Sequence, residues 1–186
     1  YIQGGAVFLR AANNYTISNC VFKNCWSDKE GGAMYLSTRN PSGTMNPIGV
    51  WVINVTFINN TAKALGPVSS DNTMGGGAVF VKECTRAYFE NVTFINNTAN
   101  NGGAFSLSPQ EDTIEFNKCT FIGNKAEDDG GAIWVGKFSL KLYDAVFYDN
   151  DTSKALLESM PMKLKMSELN GNEKYRYLSK DFPTNE

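Results

Sequence analysis

Histidine is absent from the 186 residues. That excludes a Ser-His-Asp or Cys-His triad and any His-ligated metal site. Cysteine is scarce: Cys20, Cys25, Cys84 and Cys119 are the four copies, and no two stand in a CxxC spacing. The thiols therefore point to neither zinc nor redox catalysis, and no cofactor is expected. Neither sign of charge dominates, with 17 Lys+Arg against 19 Asp+Glu. There is no basic surplus for nucleic acid or for an anionic lipid surface. No apolar run approaches the roughly 18 residues of a membrane-crossing helix, and no basic-then-apolar leader opens the sequence.

What is present is a foldable core with an unusual garnish of amides and glycines. Hydrophobic residues make up 42% and aromatics 12%, too many for a disordered segment. Beside them stand 21 Asn and 17 Gly, and both types recur periodically. Gly-Gly-Ala followed by an apolar run begins at Gly4, Gly31, Gly76, Gly102 and Gly130, with second glycines 27, 45, 26 and 28 residues apart. Between the copies sits Phe-x-x-Asn, at Phe57–Asn60, Phe94–Asn97, Phe121–Asn124 and Phe147–Asn150. Phe22 opens a near miss, with Asn24 one place early and Cys25 in the fourth place. Insertions near 39–48 and 63–74 account for the long second repeat.

Aligned on the Phe, the copies show what each position requires. Tyr15, Val50, Ala87, Ile114 and Leu140 stand seven before it, and Ile17, Val52, Phe89, Phe116 and Leu142 five before it. Apolar residues two apart mean strands with one buried face. Asn19, Asn54, Asn91, Lys118 and Asp144 stand three before the Phe, where the alternation slips and a bend is expected. About three short strands per repeat follow. A unit of this size cannot bury its apolar face alone, but stacked copies can, each strand pairing with its counterpart about 4.8 Å away. The expected fold is all-β: a parallel β-helix of about five coils over residues 1–152, with residues 153–186 as C-terminal cap and polar tail. Right-handedness follows from the bias of parallel crossovers. Stacked Phe side chains should fill the lumen, Asn columns should form amide ladders, and the Gly-Gly corner should need positive φ, Gly77 included.

The paired Gly-Gly-Ala-Ile and Phe-x-x-Asn motifs resemble the repeats of the chlamydial polymorphic outer membrane proteins; similar repeats occur in surface proteins of protists and other microbes. Gly130-Gly131-Ala132-Ile133 matches in full, while the other copies replace Ile by Val7, Met34, Val79 and Phe105. The resemblance covers about residues 4–152. It implies an extracellular β-helical passenger or adhesin-like domain and says little about a ligand.

Tyr1 falls inside a coil, so the sequence reads as a mature or excised fragment. Past Asn150 no further Gly-Gly-Ala arrives, and residues 153–169 are read as a terminal cap, the alternative being a strand exchanged with a neighbouring subunit. Cys20 and Cys119 share a column three coils apart, about 14 Å, beyond the reach of a disulfide; small buried thiols are the expectation. Six Asn-x-Thr sequons point to an extracellular glycoprotein. Asn14, Asn59, Asn96 and Asn150 are the glycan candidates, while Asn54 and Asn91, in the bend column, are read as facing inward.

Parallel β-helices also host polysaccharide lyases and hydrolases, which need two carboxylates on one face. Acids gather before Gly-Gly at Asp28, Glu30, Asp71, Glu127, Asp128 and Asp129, but the gap near residue 100 holds Asn100-Asn101 instead. Asp128 and Asp129 are weak calcium candidates. A more distinctive feature is the outward column Phe8, Tyr35, Phe80, Ser106 and Trp134. Its four aromatics should stack about 5 Å apart as an exposed interaction stripe, covered by the insertions, by another subunit or by a glycan. The sequence thus points to a non-enzymatic, extracellular or cell-surface module, structural or adhesive, with a protein partner (itself included) or a glycan. A carbohydrate-binding or polysaccharide-degrading protein is the alternative.

Overall fold

The computed structural model describes residues 2–44, 46, 48–63, 75–107, 113–135, 139–148, 167–169 and 173–175. The chain divides into two compact units, residues 1–147 and 148–186. The first is a parallel β-helix. Four sheets run along it, three with one strand from each of the five coils and a fourth with strands from the first four. The first sheet takes the strand after each Gly-Gly-Ala: Val7–Leu9, Met34–Leu36, Val79–Val81, Phe105–Leu107 and Ile133–Val135. The second takes Tyr15–Ser18, Val50–Ile53, Arg86–Glu90, Thr113–Asn117 and Ser139–Tyr143. The third carries the Phe at its centre: Val21–Lys23, Thr56–Ile58, Thr93–Ile95, Thr120–Ile122 and Val146–Tyr148. A fourth, four-stranded sheet of two-residue strands was not foreseen: Trp26–Ser27, Thr61–Ala62, Thr98–Ala99 and Lys125–Ala126. Two residues are too short for an alternation pattern, and only the coil-to-coil pairing makes them a sheet.

Register follows the sequence columns. Ala87 pairs with Val50 on one side and Ile114 on the other, and Phe94 with Phe57 and Phe121. The Phe rings form a continuous stack from Phe22 through Phe57, Phe94 and Phe121 to Phe147, with centroids 4.7–5.1 Å apart. A second pair, Phe89 and Phe116, stacks at 4.8 Å and meets Phe105 edge-on. These rings and the aliphatic columns make one lumen, fully buried through the middle coils and partly open at Val7, Phe22, Ile133 and Phe147.

The corners are made by residues in the left-handed region. The bend column Asn19, Asn54, Asn91, Lys118 and Asp144 has φ between 51° and 55° throughout. A second such column is Asn24, Asn59, Asn96 and Gly123, with φ of 51–57°. It resolves the near miss in the first repeat: Asn24 is in register with Asn59, and it is Cys25 that replaces an Asn. That neighbouring column, Asn60, Asn97 and Asn124, is the buried ladder. Asn97 Nδ2 donates to Phe57 O at 3.1 Å and to Asn124 Oδ1 at 2.9 Å, and its own Oδ1 accepts from Asn60 N and Asn60 Nδ2. In the first coil Cys25 N donates to Asn60 Oδ1 at 2.9 Å.

The glycine expectation needs one correction. The positive φ belongs to the first glycine of each pair, 61–69° from Gly4 to Gly130, and not to Gly77. Gly77 is required by close approach: a Cβ there would lie 2.0 Å from Gly103 O and 2.6 Å from Thr98 N and O. In the second unit, Ser167–Leu169 pairs antiparallel with Glu173–Tyr175. The rest of the expected cap, residues 153–166, lies outside the described residues.

Candidate functional site

The outward column of the first sheet stands in register, Phe8 opposite Tyr35, Tyr35 opposite Phe80, Phe80 opposite Ser106 and Ser106 opposite Trp134. Its rings stack: Phe8 and Tyr35 at 4.8 Å, Tyr35 and Phe80 at 5.8 Å. It is not the open stripe expected from the sequence. Phe80 and Ser106 are 0% exposed and Tyr35 7%, Trp134 is half-buried, and Phe8 alone is well exposed, at 48%. Alternation along a strand tells which side of the sheet a residue takes. It does not tell what lies over that side.

Where the column opens, at Phe8 and Tyr35, there is a cleft of about 420 Å³. One wall is the insertion after Thr38. Asn46 Nδ2 pins that loop to the first coil by donating to Ala11 O at 2.8 Å. Thr38 ties it to the third coil, its N donating to Glu83 O and its Oγ1 accepting from Thr85 N. The cleft is lined by Phe8 and Tyr35, by Gln3 and Asn40, and by Arg10, Arg39, Lys82 and Glu83 among others. Arg39 Nη1 meets Glu83 Oε1 at 2.5 Å, with Glu83 the more buried partner. Burial, with the negative charges of Glu30 and Glu83, pushes the Tyr35 hydroxyl up to about 12 against the pull of Arg10, so Tyr35 is neutral and a hydrogen-bond donor at ordinary pH.

Sequence reasoning passed over this cluster. Its signal was the position after each inward Leu or Val, where Ser37 N donates to Leu9 O and Lys82 N to Leu36 O, so that Arg10, Ser37 and Lys82 follow one another along the axis. Arg39 and Asn40 lie in an insertion whose path only the fold sets.

The remaining candidates are scattered. Asp128 and Asp129 are exposed turn residues, and no group of three metal-binding side chains occurs among the described residues. Glu30 is buried and accepts from Gln3 Nε2; Glu127 pairs with Lys63. Asp71 and Asn150 lie outside the described residues. Asn14, Asn59 and Asn96 are exposed. Asn54 and Asn91 are also exposed, against the inward expectation, because positive φ turns them off the lumen; Asn91 Nδ2 donates to Asn54 Oδ1 at 2.9 Å. None of the four cysteines is in a disulfide: Cys84 and Cys119 are buried, Cys20 and Cys25 half-buried. Burial raises Cys119 to about 11, which holds it as an inert thiol.

Residues 54–82, 91–108 and 118–136 match the Chlamydia polymorphic membrane protein repeat. Residues 137–186 match a second family, described as cyclophilin-like, over the same stretch that the sequence columns gave to the last strands, cap and tail. No curated protein and no solved structure matches. The three repeat matches fall on the second to fifth coils, where Gly-Gly-Ala, Phe-x-x-Asn and the buried Asn ladder coincide. This chain carries the polymorphic membrane protein repeat, wound into a parallel β-helix.

Proposed function

We propose that this chain is a non-enzymatic, surface-exposed module, structural and adhesive in role, whose partner is a protein or glycan of a neighbouring surface. The observation that carries the reading is the make-up of the cleft. Among its lining residues the single carboxylate is Glu83, and Arg39 holds it. Glycoside hydrolysis needs two carboxylates facing a substrate, whereas rings edged by polar and cationic tips suit reversible contact. The interior supports the same reading: Phe and Asn ladders fill the lumen of the described coils, so the coil works as a rigid mount for its outer face. The family match, to a repeat of polymorphic membrane proteins, supports display at a cell surface. Beads coated with the purified chain should be retained on cell surfaces or extracellular matrix above albumin-coated beads. Equal retention would defeat the adhesive reading, and new reducing ends released from a polysaccharide would replace it with an enzymatic one.

A further inference from the structure

The cleft at Phe8 and Tyr35 carries a charge pattern at odds with the rest of the molecule. The chain as a whole is slightly acidic, with a net charge of −2. The lining of the cleft instead gathers Arg10, Arg39 and Lys82 against Glu83, with Glu30, bonded to the lining Gln3, as the second anion nearby: three cations to two anions. Arg39 is oriented by Glu83. Arg10 and Lys82 make no ion pair among the described residues, and Arg10 is exposed. They occupy one column two coils apart, about 10 Å along the axis, a span comparable to a disaccharide. Between and beside them lie two stacked rings, with Phe8 half exposed. The loop bearing Arg39 is fastened at both ends by Asn46 and Thr38, so little ordering is left for binding to accomplish.

We propose that this cleft binds an acidic polysaccharide, one whose sugar rings carry sulfate or carboxylate groups, with the chain running along the solenoid axis. The inference rests on the adhesive reading above and supplies its ligand class. A sugar ring has an apolar C–H face that packs on an aromatic ring, and Phe8 provides it. Acidic substituents on successive sugars would meet Arg10 and Lys82, with the guanidinium of Arg39 placed for a bidentate contact. A neutral glycan would leave Arg10 and Lys82 without partners. A protein partner would have to present acids at the same spacing without the ring-shaped apolar face.

The test is binding of the whole chain to heparin, hyaluronan, dextran and free sulfate, followed by calorimetry or affinity electrophoresis. The sulfated or the carboxylated polymer should bind, weakening as salt shortens the Debye length from about 10 Å toward 3 Å, while dextran and free sulfate should not. Which acidic polymer binds more tightly separates sulfate from carboxylate as the recognised group. Arg10→Ser with Lys82→Ser should lower affinity at least about tenfold, and Phe8→Ala should lower it without changing the salt slope. Lys118→Ser with Lys125→Ser removes the same charge from exposed positions of other columns and should leave affinity unchanged. Equal weakening by the control pair would overturn the site in favour of diffuse charge. Binding of dextran as tight as heparin, or of neither acidic polymer, would overturn the ligand class even if coated beads still adhere. Retention on anionic phospholipid vesicles with none on heparin would overturn it in favour of a membrane.

Discussion

At the scale of single residues, the coil is decided by a few positions with no freedom of choice. Gly77 has ordinary φ, yet any side chain there meets the backbone of the next coil. Gly77→Ala should cost more than about 2 kcal/mol, because backbone overlap cannot be relieved by a rotamer change. A chemical denaturation midpoint equal to the parent's would show that the coils can spread. Asn97 satisfies two backbone groups of the preceding coil, Phe57 O and Asn60 N. Asn97→Ala should lose about 1–3 kcal/mol for each group left buried and unpaired, and Asn97→Asp should not restore it, since a carboxylate cannot donate to Phe57 O. Recovery in the Asp variant would remove the ladder argument. Cys119 gives a pH signature. Burial raises its thiol from 9.0 to about 11, so the folded state keeps a proton that the unfolded chain releases first. Its contribution is complete below about pH 9 and is lost as pH rises through 11. Melting temperature should fall across that window, and less steeply in Cys119→Ala; parallel curves would refute the assignment.

At the scale of elements, each strand is too short to be stable by itself, with several of only two or three residues. Strands this short persist because each pairs with its copy in the coil above and below, and because side chains stack in the same order. The two ring columns differ in what surrounds them. The Phe57–Phe94–Phe121 stack faces the lumen, while Tyr35 and Phe80 stack on the outer side of the first sheet and are nevertheless buried. Tyr35→Ser with Phe80→Ser should therefore lower stability by about 3 kcal/mol or more, through lost apolar burial and a cavity. Thermal unfolding of the double variant measures this. An unchanged melting temperature would return the column to the open surface that strand alternation alone suggests.

At the scale of the whole β-helical unit, burial is graded along the axis. Ala87, Phe89, Val92 and Phe94 in the third coil are 0% exposed, whereas Tyr15 and Leu142, which share columns with Ala87 and Phe89, are 51% and 44% exposed. A solenoid's stability is close to a sum over neighbouring coils, so the outer coils open more readily than the middle. Hydrogen exchange should be slowest at Phe89 and Phe94 and fastest over Tyr15–Ser18. Uniform protection would mean that the coils unfold together. The cleft lies on the first three coils, so its ligand should raise protection there, over residues 34–39 above all.

The amino-acid sequence by itself determined the coil. Columns of Phe, Asn and Gly-Gly-Ala at a fixed period can be satisfied only by stacking, and pairing like with like sets the register without reference to anything distant. It also marked the bend column, because the alternation slips there. It misled on the inner and outer faces of that bend, since the positive φ that turns Asn54 and Asn91 outward is a backbone property the residue letters do not show. Only the tertiary structure decided which outward aromatics are open and which are covered. It also brought Arg10, Arg39 and Lys82 to one cleft. The reason is physical: periodicity encodes contacts between equivalent positions, whereas an insertion such as 39–48 obeys no period. Its path follows from the hydrogen bonds of Thr38 and Asn46 to coils distant in sequence, and those bonds put the cleft where it is.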